Sequence, residues 1–185
     1  LILHPHPLYG GTMNNKVVYH LYHCLAVLGF SVLRINFRGV GKSQGKFDDG
    51  VGELIDAATA FDWLQQHNPL AKSTWIAGFS FGAWISTQLL MRRPEIKRFV
   101  LVSPPVEKYD FSFLSPCPTS GLVLQGNADS IVKESSVANC FNSLVVQKGV
   151  KLEYEMVPGA DHFFRETMDE LKDRVNRYVE LHIKS

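Results

Sequence analysis

The sequence predicts an α/β fold: a mostly parallel sheet with helices on both faces. Three observations carry this expectation. Short runs suited to strands alternate strictly with segments whose apolar residues recur at helical spacing. Several of those runs, such as Arg98–Ser103 (RFVLVS) and Gly121–Gln125 (GLVLQ), are apolar nearly throughout, as expected when both sheet faces are covered. Each parallel pair also needs a crossover, and the interspersed helices supply it.

In chain order, Leu1–His4 reads as the end of a strand. A helix follows over Asn14–Leu28, where Val17, Val18, Leu21, Cys24, Leu25 and Leu28 form one stripe and Gly29 ends it. Ser31–Phe37 (SVLRINF) reads as a strand and Val51–Gln66 as a helix, with Leu54, Ala57, Ala58, Phe61 and Leu64 on its inner face. Ser73–Phe79 is a strand, Phe81–Met91 a helix, and Arg98–Ser103 a strand. The strand Gly121–Gln125, the helix Ser135–Val146 and the strand Lys151–Val157 come next. A last helix spans about Glu166–Ile183, turning Met168, Leu171, Val175 and Val179 inward. Pro104–Thr119, with four prolines and Tyr109, Phe111 and Phe113, is irregular and too short for a separate domain, so a surface flap or minimal cap on one domain is expected there.

Composition narrows the class of function. The 185 residues, 45% of them apolar, suffice for one well-cored domain. With 19 basic and 18 acidic side chains and no Lys/Arg run, nothing favours a nucleic-acid or anionic-membrane partner. No apolar stretch approaches the length of a membrane span. Cys24, Cys117 and Cys140 are odd in number and lack a C-x-x-C pair, which points to a reducing, cytoplasmic compartment rather than a disulfide framework. Oligomeric state is not legible.

In a parallel sheet, ligands sit outside the carboxyl ends of the strands, so chemistry is sought just after each one. Gly78-Phe79-Ser80-Phe81-Gly82 lies where a strand passes directly into a helix. This is G-x-S-x-G in the context that motif requires: small residues let the backbones approach, and the serine is lifted onto a strained turn. Ser80 would then project beside the first free N–H groups of the helix, which favour an oxyanion. A serine hydroxyl needs a base, and the base needs a group to hold its tautomer. Asp129 follows the penultimate strand and His162 the last, in the order Ser, acid, His. Asp161 and Glu107 are rival orienters. Asp161 ranks lower because adjacent residues in extended chain point apart.

His4-Pro5-His6-Pro7-Leu8-Tyr9-Gly10-Gly11 follows the first strand. The prolines carry no N–H, so His6 is the natural backbone donor of this loop, Leu8 the next, and Phe81 supplies the donor after the nucleophile. His4-x-His6 also has a metal-site spacing, but no third ligand lies nearby, and no metal or cofactor is expected.

On these residues the chain resembles the α/β-hydrolase superfamily, and in particular its small, nearly cap-free bacterial hydrolases related to dienelactone hydrolase. His4–Gly11, the turn Arg38-Gly39-Val40-Gly41-Lys42-Ser43, the Gly78–Gly82 elbow and the Asp129 and His162 loops carry the likeness. The resemblance implies an α/β-hydrolase fold whose antiparallel opening strands would precede Leu1. It implies hydrolysis of an ester or related acyl bond in a small molecule, with Ser80, Asp129 and His162 as the triad and Phe81 and His6 N–H groups as the oxyanion hole. Tyr9, Tyr109, Phe111, Phe113 and Phe163 are candidate walls of an acyl pocket. Thioester or peptide cleavage with the same triad, or a non-catalytic binding role on the same fold, are the alternatives.

Overall fold

The computed structural model describes residues 1–183. Its sheet has five parallel strands in the spatial order of the chain: β1 (Ile2–Leu3), β2 (Thr74–Phe79), β3 (Ile96–Val102), β4 (Ser120–Gly126) and β5 (Leu152–Val157). The helices are α1 (Lys16–Val27), α2 (Val51–His67), α3 (Phe81–Leu90), α4 (Glu134–Val145) and α5 (Met168–His182). The register runs Leu3 beside Gly78, Gly78 beside Leu101, Leu101 beside Val123 and Val123 beside Tyr154.

Successive strand residues point to opposite faces, so alternate side chains of the buried central strands enter two different cores. Ile76, Phe99, Leu101 and Val123 join Ala57, Phe61, Ile85, Leu89 and Phe141 of α2, α3 and α4 in one core. Trp75, Ala77, Phe79, Val100, Val102, Leu122 and Leu124 join Val17, Leu21, Leu171 and Val175 of α1 and α5 in the other. The uninterrupted apolar strands of the sequence are thus the centre of a three-layer sandwich.

One expected element is reduced. Residues 31–37 run extended beside β1, yet only a single bridge forms, Ile2 to Arg34, with the Ile2 N–H donating to the Leu33 carbonyl at 2.9 Å. β1 offers two residues to pair with, so no ladder develops at this edge, although Leu33 still packs on one core and Val32 on the other. The chain thus passes from β1 outward to this edge, then back across β1 to β2. That reversal places a switch point between β1 and β2, where the loop after β1 and the Ser80 turn emerge side by side.

Residues 104–119 do not stand away from the body. Phe111, Leu114 and Cys117 turn into the core shared with α3 and α4, and the Trp84 indole N–H donates to the Asp110 carbonyl at 3.1 Å. Among the described residues, no helix is long and apolar enough to cross a membrane.

Candidate active site

Ser80 occupies the junction of β2 and α3 at φ 52° and ψ −119°, outside the wells that ordinary side chains prefer. Its N–H donates to the Val102 carbonyl at 2.9 Å, and its carbonyl accepts from the Ala83 N–H at 2.8 Å. The flanking glycines are sterically required. A Cβ at position 78 would run into the Gly82 carbonyl and the Ser86 hydroxyl, and one at 82 would run into the Leu3 and His4 carbonyls. The serine hydroxyl is half-buried at the sheet edge. Phe81 and Gly82 are the first residues of α3, and among the described residues their N–H groups have no protein acceptor.

Two loops bring the other polar groups to the same edge. Asp129 follows β4 and His162 follows β5, and the loops are bonded to each other: the Ala128 N–H donates to the Ala160 carbonyl at 3.0 Å, and the Gly159 N–H to Asn127 Oδ1 at 2.7 Å. The His162 Nδ1–H donates to Asp129 Oδ2 at 2.7 Å, which leaves Nε2 to accept from the Ser80 hydroxyl at 3.0 Å. Both His162 and Asp129 are buried. Asp129 Oδ1 accepts from the Ile131 and Val132 N–H groups, each at 2.8 Å, while Oδ2 also accepts from Gln125 Nε2 at 2.9 Å. Burial pushes the Asp129 carboxyl up, but the His162 hydrogen bond and charge, with the Val132 and Gln125 donors, outweigh it and hold the group below the ordinary carboxylate value.

The rival acids are engaged elsewhere. Asp161 pairs with Arg165 at 2.8 Å, and Glu107 accepts from the Ser136 hydroxyl at 2.7 Å. His4 ties the first loop together: its Nδ1–H donates to the Pro5 carbonyl at 2.6 Å and its Nε2 accepts from the Phe37 N–H at 3.0 Å. With both ring nitrogens used, His4 has none for a metal, and its burial lowers its pKa to about 4. Among the described residues no His, Cys, Asp and Glu group is arranged to hold a metal ion.

The loop after β1 lies against the turn that carries Ser80. The His6 ring packs on Phe81 at 5.0 Å, Phe47 at 4.8 Å and Tyr9 at 4.6 Å between centroids. Its Nδ1 accepts from the Leu8 N–H at 3.2 Å, so Leu8 is occupied, whereas the His6 N–H has no acceptor among the described residues. Partial burial and then the Lys108 ammonium lower the His6 pKa against the pull of Asp49. Tyr109 stacks on Trp84 at 4.2 Å and meets Phe81 at 5.7 Å; Tyr9 is exposed, with the Lys108 ammonium 4.7 Å from its ring centre. Phe163 adjoins the His162 ring at 5.1 Å.

Two expected wall residues lie elsewhere. Phe111 is buried against Phe141 on α4. Phe113 lines a small cavity with Gln88, Met91 and Arg92 at the carboxyl end of α3, about 15 Å of helix rise from Ser80. Both belong to the packing beneath α3 rather than to the rim. A larger cavity, near 600 Å³, opens between Leu25, Phe30, Leu64, Leu70 and Trp75 at the amino ends of the strands, across the sheet from Ser80. Gln125 and Ser103, which bond to the acid and to the histidine loop, did not stand out in the sequence. A polar residue closing an apolar strand is the signal that marks both.

Fold and site together define an α/β hydrolase. The model of that fold family matches residues 2–120, and the chain belongs to the family. It is 58% identical over 97% of its length to the Rickettsia prowazekii protein RP471, of which it covers 77%. Among solved structures it is similar to ATU1826 of Agrobacterium tumefaciens, a candidate α/β hydrolase, at 51% identity and TM-score 0.95, covering 99% of this chain and 84% of that one. An α/β serine hydrolase homologue from Coxiella burnetii is 40% identical with TM-score 0.88, covering 96% and 83%.

Proposed function

We propose that the protein is a serine hydrolase that cleaves a carboxylic ester or related acyl bond of a small molecule. The observation that carries this reading is the unbroken chain from the Ser80 hydroxyl to the His162 imidazole to the Asp129 carboxylate, with contacts of 3.0 and 2.7 Å. Ser80 Oγ attacks the carbonyl carbon as its proton passes to His162 Nε2. Asp129 steadies the imidazolium and holds its tautomer. The carbonyl oxygen, now an oxyanion, takes hydrogen bonds from the Phe81 and His6 N–H groups, which have no protein acceptor among the described residues. Collapse breaks the bond to the leaving oxygen, which takes the proton from Nε2 and departs. Water then attacks the acyl-enzyme with His162 as base, freeing the acid and restoring Ser80.

Tyr9, Tyr109 and Phe163 flank this centre and form the apolar surface for the substrate's acyl or alcohol part. Residues 104–119 pack against α3 and α4 instead of rising as a flap, which suits small or extended substrates. Purified protein is expected to hydrolyse p-nitrophenyl acetate and to be labelled by a fluorophosphonate, with Ser80→Ala losing both. Equal rates from the two forms would remove Ser80 from the mechanism, and failure of the wild type to label would favour a binding role on an idle fold. A matched ester, thioester and amide panel then separates the bond types that the triad alone does not distinguish.

A further inference from the structure

We infer that Ser103 is a positioning residue for the proposed reaction: from the end of β3 its hydroxyl fixes the His162 loop at the height where the imidazole meets Ser80. This rests on the serine-hydrolase reading above. Ser103 is fully buried and sits at φ 48°, a left-handed backbone that favours glycine. A side chain is retained there despite the strain. That side chain makes one directed contact, its Oγ donating to the His162 carbonyl at 3.1 Å across 59 residues of chain. The Ser103 N–H is in turn bonded to the Leu124 carbonyl at 2.9 Å, so the hydroxyl stands on a rigid base.

The preceding residue holds the other partner. The Val102 carbonyl accepts from the Ser80 N–H at 2.9 Å. Two consecutive residues at the end of β3 therefore grip the two partners of the proton transfer, Val102 the nucleophile and Ser103 the base. The separation of Ser80 Oγ and His162 Nε2 is thereby tied to one stretch of central strand, in addition to the bonds that join the Asp129 and His162 loops. Among the described residues no other donor to the His162 carbonyl is present, so deleting the hydroxyl leaves that buried carbonyl unpaired and free to shift. Small displacements of a general base weaken catalysis without weakening substrate binding.

The test uses two variants that delete the same hydroxyl on different backbones. Ser103→Gly suits a positive φ and Ser103→Ala does not, so the glycine form melts at the higher temperature. Positioning predicts that kcat on p-nitrophenyl acetate falls about tenfold in both, with KM unchanged within about twofold, and that the rate of fluorophosphonate labelling falls in parallel. A merely structural strut predicts activity that follows the melting temperature. Full turnover in the soluble Ser103→Gly form would therefore overturn the inference, as would a rise in KM with kcat unaltered. Wild-type protein inert toward both reagents, or an active Ser80→Ala form, would instead refute the serine-hydrolase reading itself.

Discussion

Replacing Asp129 by Asn tests the hydrogen-bond logic of the proposed triad most sharply. The carboxylate receives four donors, two N–H groups at Oδ1 and the Gln125 amide and His162 Nδ1–H at Oδ2. An amide offers one oxygen. With that oxygen kept by the Ile131 and Val132 N–H groups, the new NH2 faces two donors and accepts from neither. His162 relieves the clash by moving its proton to Nε2, which then cannot accept from Ser80. The fold changes little, but the base is lost, at a cost of about 10⁴ in kcat, or about 5 kcal/mol of transition-state stabilisation. The burst of p-nitrophenol at substoichiometric enzyme measures the acylation step directly. A fall of less than about tenfold in burst rate, with the fold intact by circular dichroism, would show that Asp129 does not set the tautomer.

Other perturbations report on the frame around the site. Gly78→Ala thrusts a methyl into the Gly82 carbonyl and Ser86 hydroxyl, so a loss of about 3 kcal/mol or more is expected in urea denaturation; a wild-type midpoint would contradict the close approach of these backbones. Ser80→Gly should abolish turnover while releasing about 1–3 kcal/mol of backbone strain, raising the melting temperature about 2–4 °C per kcal/mol, whereas Ser80→Ala gains nothing of this kind; identical melting of the two forms contradicts it. His4 is buried with its pKa lowered to about 4 from 6.5. The unfolded chain therefore takes up this proton from about pH 6.5 downward and the folded one only near 4. Stability is full above that window and drops by about 3 kcal/mol across it as pH falls. His4→Gln should flatten this slope in urea midpoints taken between pH 7.5 and 4, and parallel curves for the two proteins would assign the proton elsewhere.

The strands and the three loops of the site are legible in the sequence because they depend on local pattern. RFVLVS and GLVLQ can be little else than buried strands, and a small-x-Ser-x-small turn between strand and helix fixes where Ser80 must point. What the pattern misses depends on partners remote in the chain. SVLRINF has strand chemistry, but β1 is too short to make it a ladder. Phe111 and Phe113 look like rim aromatics until the packing of the 104–119 segment against α3 and α4 claims them. His4 and His6, two residues apart, diverge completely: one is locked between Pro5 and Phe37, the other lies against the Phe81 ring that follows Ser80. Asp129 and Asp161 likewise part in space: the first bonds to His162 and the second to Arg165, because strand ends converge while neighbours along the chain diverge.

The approach of the Leu3 and His4 carbonyls to Gly82 sets the end of β1 directly against the first turn of α3. Any side chain larger than glycine at position 82 would have to displace that main chain, so this position admits almost no variation. Freedom to vary is left to exposed or half-exposed positions such as Tyr9, Tyr109 and Phe163, where a changed side chain meets solvent instead of main chain. A mutational library confined to those three sites should therefore yield many soluble members, and one spread over residues 78, 82 and the first strand very few.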